Sequence, residues 1–158
     1  PFEDSFRFVL PGYCVRPLEM SGAVGQVQLS KANKMLDQRI INSKIYHHFF
    51  DNVDYARTQL PTKNSVHSYF GFSFVLENKL KDRRADVIEL FKEYGIECRP
   101  IVAGNFMRNP VIDRLNYTTF GEYDCANEIH DQGFFLGNDN RNLEEQLTKV
   151  KELMETLQ

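Results

Sequence analysis

No run of roughly 18 apolar residues occurs in the chain, so no segment is suited to crossing a bilayer as a helix. Cysteine is scarce, and Cys14, Cys98 and Cys125 are widely spaced without a C-x-x-C pair. That spacing excludes a locally built zinc knuckle or redox motif, and it fits a reducing compartment. The histidines are as poor in pattern: adjacent His47 and His48 fall on different helix faces, so no metal site is expected. A strong charge of one sign is also missing. Nineteen Lys and Arg stand against 22 Asp and Glu, for a net charge of −3 and a sequence pI of about 5.8. This balance speaks against a nucleic-acid partner held by phosphate neutralisation. Tryptophan is absent, but 13 Phe and seven Tyr supply ample core material, so disorder is not expected. The chain opens at Pro1, inside an aromatic segment (Phe2, Phe6, Phe8), with no charged-then-apolar leader. The expectation is a piece of a longer cytoplasmic protein. With 158 residues, 42% hydrophobic and 26% charged, it has the composition of one ordinary globular domain.

Periodicity lays out the elements. Residues 1–18 read as a strand-like arm and loop, and helical character begins near Pro17, with Glu19 where a helix N-terminus favours negative charge. Met20, Val24 and Val27 follow at helical spacing. A second helix is predicted over 32–52, with Ile41, Ile45 and Phe49 as its apolar stripe and Arg39, Asn42 and Lys44 on its polar face. Residues 55–66 read as a connector. The clearest strand is 68–77, where Phe70, Phe72, Phe74 and Leu76 alternate onto one face. Asp82 can cap a helix over 83–94, which Gly95 would close. A strand over 96–103, ended by Gly104-Asn105, precedes short helices near 109 and 127–131. A strand at 133–136 and a C-terminal helix carrying Leu143, Leu147, Val150, Met154 and Leu157 complete the order. The fold class predicted is α+β, an α/β sandwich with one small sheet covered by helices.

Dedicated chemistry is hard to find. Phe70-Gly71-Phe72-Ser73-Phe74-Val75 comes close to the aromatic strand of an RNA-recognition motif, but it lacks the leading basic residue and the closing aromatic. No G-x-S-x-G elbow, phosphate-binding P-loop or G-x-G-x-x-G follows a strand. Cys98 reads as a small buried hydrophobe. Three segments carry polar residues that a bland core does not need. They are 11–23, with Arg16 beside a helix start; 95–106, with Arg99 on the face opposite Cys98; and 133–138, an apolar strand ended by Gly137-Asn138.

These segments, in this order, resemble the DegT/DnrJ/EryC1/StrS family of pyridoxal-phosphate (PLP) dependent nucleotide-sugar aminotransferases and dehydratases. The family's G-Y-N-x-R loop reads here Gly12-Tyr13-Cys14-Val15-Arg16, and its Q-L pair reads Gln28-Leu29. A helix with Arg39, an aromatic strand and an Arg-bearing strand follow. The ending Arg99-Pro100-Ile101-Val102-Ala103-Gly104-Asn105-Phe106 is closest to the sugar 3-dehydratase branch. The resemblance covers essentially the whole chain.

The resemblance implies the small C-terminal domain of the aspartate-aminotransferase-like fold (fold type I). Residues 1–18 would be an arm, 19–53 linking helices and 54–158 the small α/β domain, all in one domain. The large cofactor-bearing domain would lie outside this chain, and with it the catalytic Lys, or His in one dehydratase type. Lys31, Lys34 and Lys44 are then not Schiff-base residues, and no catalytic residue is expected here. Arg16 matches the family Arg that reaches the cofactor phosphate of the partner subunit in a homodimer, and Cys14 stands at the family's Asn. Arg99 and Asn105 match cleft-facing positions that would hold a nucleotide-linked keto-sugar. The implied reaction is dehydration or amination of a 4-keto-6-deoxy sugar nucleotide in lipopolysaccharide or O-antigen sugar biosynthesis, with PLP in the parent protein. The alternative reading is a stand-alone binding or scaffold module of the same fold.

Overall fold

The computed structural model describes residues 2–14 and 18–158. Two helices come first, α1 (Glu19–Leu29) and α2 (Ala32–Phe50). Strands β1 (Ala56–Thr58) and β2 (Gly71–Leu76), helix α3 (Arg84–Glu93) and strand β3 (Cys98–Arg99) follow. Short 3₁₀ turns at Phe106–Arg108 and Pro110–Arg114 lead to α4 (Asp124–Gln132), β4 (Gly133–Gly137) and α5 (Glu144–Thr156). The sheet order is β1-β2-β4-β3 with every neighbour antiparallel, and the α+β prediction stands.

The inner face of the sheet is set by the pleat of β2. Phe72, Phe74 and Leu76 are fully buried there, joined by Phe134 and Leu136 of β4. Rings close the layer: Phe74 stacks on Phe134 at 5.3 Å, and Tyr46 of α2 stacks on Phe72 at 4.9 Å. Phe91 of α3 meets Phe134 edge-on at 5.8 Å, while α5 adds Leu147, Val150, Leu153 and Met154. Each such side chain contributes about 1.5–3 kcal/mol by leaving water, which makes this layer the dominant stabilising one. The other face of β2 and β4 is covered in part by α4.

Several expectations are corrected. The buried stripe of α2 is Asn42, Tyr46 and Phe50, one residue on from Ile41, Ile45 and Phe49; Ile41 is 48% exposed. Asn42 can turn inward because its amide finds partners on both sides, which is the condition for burying a polar group. The presumed connector contains β1, whose outward Arg57 is tied to Glu77 at 2.9 Å and Glu128 at 2.6 Å. Asp82 does not cap α3: its φ is +63° and its N–H donates to Gln132 Oε1 at 2.8 Å. The strand expected over 96–103 is only Cys98–Arg99, because Pro100 offers no N–H to the ladder and Val102 takes φ +43°. Gly95 does close α3, at φ +69°.

The N-terminal arm is not a strand. Residues 2–6 form turns, and Phe8 docks on the 3₁₀ segment, its N–H donating to Asn109 Oδ1 at 3.0 Å and its carbonyl accepting from Val111 N–H at 3.0 Å. Helix α1 has no buried residue: Met20, Val24, Val27 and Leu29 are all well exposed.

Candidate functional site

Strand alternation places Arg99. Cys98 pairs with Leu136 and Arg99 with Phe135, so the two side chains lie on opposite faces, as the sequence predicts. Cys98 faces the inner layer and is half-buried, and burial with help from the Glu97 charge pushes its thiol up to about 11. It is an unreactive packing group. Arg99 is exposed on the outer face, where Glu97 Oε1 accepts from its Nε at 3.0 Å and its Nη2 at 2.7 Å.

A groove of about 310 Å³ runs beside this pair, lined by Phe70, Glu97, Arg99, Phe135, Gly137 and Asn138. Phe70 was expected to share the inner face of β2, yet its ring is 78% exposed and rests 5.8 Å from Phe135 on the outer face. The reversal originates at Tyr69, which has φ +39°, a left-handed conformation that side chains other than Gly rarely adopt. Two side chains hold it there. Arg39 Nε donates to the carbonyls of Ser68 at 3.1 Å and Tyr69 at 3.2 Å, and its Nη2 also reaches the Tyr69 carbonyl. Asn138 Nδ2 donates to the same two carbonyls at 3.3 and 3.1 Å. The Tyr69 hydroxyl lies 2.7 Å from His47 Nε2, whose Nδ1 lies 2.7 Å from Asp51. Arg39 and the Gly137-Asn138 pair thus act as clamps on the groove wall, a role the sequence reading did not assign them. The signal was the polar pair that ends an otherwise apolar strand.

Asn105 lies elsewhere. It is 5% exposed, its Oδ1 accepts from Met107 N–H at 3.0 Å and its Nδ2 donates to Asn127 Oδ1 at 2.8 Å. Both ends of the amide are therefore used inside the fold, and Asn105 does not line the Arg99 groove. Its own N–H donates to His130 Nδ1 at 3.3 Å, beside Gly104 at φ +56°, where an added Cβ would lie 2.6 Å from that nitrogen. Cys14 is exposed in the segment before α1, and Arg16 lies outside the described residues.

His130 must stay neutral to accept from Asn105. Its pKa is lowered, chiefly by burial and then by the nearby Arg108 charge. A depressed value means that its contribution to stability is full above the ordinary His value near 6.5, and is lost as pH falls through it toward the folded value. Urea midpoints taken at pH 7.5 and at pH 5.5 should therefore drop on acidification. His130→Gln should drop less; an equal drop would show that other groups carry the effect.

Among the described residues no His, Cys, Asp and Glu cluster could hold a metal ion, and no helix is long and apolar enough to cross a membrane. The lysines are exposed except Lys151, which is half-buried over Phe49 and 3.9 Å from Glu155.

The chain is 44% identical over 151 residues to the GDP-4-keto-6-deoxy-D-mannose 3-dehydratase of Yersinia pseudotuberculosis, covering 95% of this chain and 38% of that protein. It is 40% identical over 154 residues to the protein of the same name from Escherichia coli O55:H7, covering 97% and 39%. The solved structure of the E. coli GDP-4-keto-6-deoxy-D-mannose-3-dehydratase with bound hydrated PLP superposes with a TM-score of 0.81 at 39% identity, over 96% of this chain and 39% of that one. The chain thus spans well under half the length of the relatives it matches. Residues 2–155 match the model of one family. This chain belongs to the DegT/DnrJ/EryC1/StrS aminotransferase family.

Proposed function

We propose that the chain is the small-domain portion of a PLP-dependent nucleotide-sugar 3-dehydratase or aminotransferase, the dehydratase being favoured, acting on a 4-keto-6-deoxy sugar nucleotide. The observation that carries this reading is the match along nearly the whole chain to GDP-4-keto-6-deoxy-D-mannose 3-dehydratases. On this reading the reacting Lys or His belongs to the remainder of the parent protein. Bound there, the cofactor supplies an electron sink for expulsion of the sugar C3 hydroxyl. This chain's part is to bind and orient. Arg99, held against Glu97 on the open face of the sheet, offers a fixed cation to the nucleotide-linked substrate. Arg16 would meet the cofactor phosphate of the partner subunit, with Cys14 beside it, and Asn105 would shape the cleft by fixing the 103–107 segment. The exposed apolar residues of α1 fit a helix covered by the rest of a homodimeric parent. Nothing in the reading calls for a nucleic acid or a membrane as partner.

The test uses the longer polypeptide that carries the rest of the family's length. Loaded with PLP, it should dehydrate GDP-4-keto-6-deoxy-D-mannose, and Arg99→Ala should lower kcat/KM about tenfold, mainly through KM, as loss of one charged hydrogen bond implies. The present chain, mixed with equimolar PLP and reduced with borohydride, should show no single lysine labelled stoichiometrically. Absence of turnover in the PLP-loaded longer protein, or a stoichiometric adduct on this chain, would overturn the reading.

A further inference from the structure

One chain of hydrogen bonds ties both ends of the segment 59–69 to the last turns of α2. Thr58 Oγ1 donates to Asp51 Oδ1 at 2.9 Å, the same oxygen lies 2.7 Å from His47 Nδ1, and His47 Nε2 lies 2.7 Å from the Tyr69 hydroxyl. That hydroxyl is also 3.4 Å from the Gln59 carbonyl oxygen. Thr58 and Gln59 lead into the segment, Tyr69 closes it, and residues 59–66 between them are exposed. The Tyr69 ring is buried in the core and meets the His47 ring edge-on at 5.3 Å, so packing fixes its hydroxyl at the core's rim.

Counting protons along this chain gives two states. An ionised carboxylate only accepts, so Nδ1 of His47 carries a hydrogen. In the neutral ring Nε2 is then a lone pair that takes the Tyr69 O–H, and the Gln59 carbonyl receives nothing from it. In the imidazolium Nε2–H donates to the Tyr69 oxygen, and the phenol proton turns to the Gln59 carbonyl, its remaining acceptor among the described residues. Burial, with the Asp51 charge adding to it, raises the Tyr69 phenol, so it keeps its own proton in both states. At 3.4 Å the Tyr69–Gln59 contact is longer than the usual O–H···O distance of about 2.7–2.8 Å, so a full bond draws the segment inward.

We propose that Asp51, His47 and Tyr69 form a proton-operated latch: a proton taken up at His47 Nε2 turns the Tyr69 hydroxyl from His47 to the Gln59 carbonyl and draws the segment 59–69 shut as pH falls. Histidine is the side chain whose charge changes between about pH 5 and 8. The segment borders a cavity of about 420 Å³, with Gln59, Val66, His67 and Tyr69 on one side and Ile101 and Val102 on the other, so the latch narrows this cavity whatever fills it. By linkage, a ligand that favours the shut segment raises the proton affinity of His47 by the same factor. Few other charged or titratable groups face the ring. On α2, Asp51 pairs with it and Tyr46 packs on it at 5.0 Å. On β1, Arg57 is tied away to Glu77 and Glu128. From the segment itself comes His67, 5.5 Å from the Tyr69 ring, whose Nε2 accepts from Thr62 N–H at 3.3 Å. Protonating His67 would free that N–H and loosen the segment, so the two histidines act in opposite senses.

The test takes the 158-residue chain from about pH 8.5 to about pH 5 and follows it by NMR. The carbonyl-carbon resonance of Gln59 should move downfield with the same midpoint as the His47 ring resonances, and the backbone order parameters of residues 60–66 should rise with it. Tyr69→Phe keeps the buried ring and removes only the hydroxyl. In that variant His47 should still titrate, while the Gln59 shift should be lost. His67→Gln keeps an acceptor for Thr62 N–H at every pH and should leave the Gln59 shift in place. Neither substitution opens a cavity in the core. A His47 ring that keeps one charge throughout, a Gln59 resonance that ignores the His47 titration, a shift that survives Tyr69→Phe, or one that vanishes in His67→Gln would each overturn the latch. None of these readings depends on which substrate the parent protein takes.

Discussion

Asn42→Leu should lower the unfolding free energy by about 3–4 kcal/mol, although it exchanges a polar side chain for an apolar one of the same branching shape in the core. Asn42 is fully buried, and its amide joins two separate stretches of chain. Nδ2 donates to Asn138 Oδ1 at 3.1 Å and to the Arg141 carbonyl at 2.8 Å, while Oδ1 accepts from Leu143 N–H at 3.3 Å and from Gln38 Nε2 at 3.1 Å. Leucine satisfies none of these. The Arg141 carbonyl and the Gln38 amide belong to exposed or half-buried residues and can turn to water. Leu143 N–H and Asn138 Oδ1 belong to buried residues, and each is left with its desolvation cost of about 1–3 kcal/mol. Two features make the outcome decisive. Gln38→Ala removes a partner of the same amide from the solvent side and should cost under about 1 kcal/mol. Asn138, once released, loosens its hold on the Ser68 and Tyr69 carbonyls, so Asn42→Leu should also relax the wall that presents Phe70. Urea unfolding at constant m-value measures the first effect, and amide exchange at residues 68–71 measures the second. A neutral or stabilising Asn42→Leu would mean that the amide network does not hold the strand end to α2.

That network also marks where the sequence stopped being readable. Helix α5, strand β4 and the fully buried half of β2 follow from simple periodicity, because Leu147, Val150 and Met154, or Phe72, Phe74 and Leu76, are apolar and regularly spaced. The stripe of α2 does not, since an asparagine occupies a core position and becomes tolerable only through partners about a hundred residues away. Strand β1 was lost because its three residues present Arg57 and Thr58 rather than an apolar alternation, and it is recruited by pairing with β2. Phe70 was misplaced for a similar reason: its direction depends on Tyr69 dihedrals fixed by Arg39 and Asn138, not on its own neighbours. The same split holds for the candidate site. The face of Arg99 follows from strand alternation alone, whereas the groove around it is assembled from β2, β3 and β4, and no local pattern records that assembly. Similarity of the whole motif order found the family because it carries such long-range information implicitly.

Gly133→Ala should cost about 3 kcal/mol, at the upper end of what overpacking does, even though alanine suits both helix and strand better than glycine. The backbone itself is no obstacle: φ −90° and ψ 140° are ordinary for any residue. The obstacle is space. α4 ends at Gln132 and β4 starts at Gly133 with no residue between them, and Gly133 N–H donates to the Ile129 carbonyl. A Cβ at this position would lie 2.3 Å from that carbonyl oxygen and 2.8 Å from Ile101 Cδ1. Ile101 can shift its methyl, but the carbonyl belongs to the last turn of α4 and cannot move alone. Either that turn opens, or β4 retreats from its pairing with Val75 at this end of β2. Both routes disturb His130 and the Arg84 contacts to the His130 and Gly133 carbonyls, so the damage should reach the Asn105 segment. Gly25→Ala is the matched control. Gly25 lies inside α1 with nothing near its missing Cβ, and the substitution there should raise helix stability by about 0.5–1 kcal/mol through the lower entropy of the unfolded chain. Thermal or urea midpoints of the two variants should therefore move in opposite directions. If Gly133→Ala were as benign as Gly25→Ala, the direct passage from α4 into β4 would not be what fixes the turn carrying Ile101, and the position of Arg99 would have to be set by the β3–β4 pairing alone.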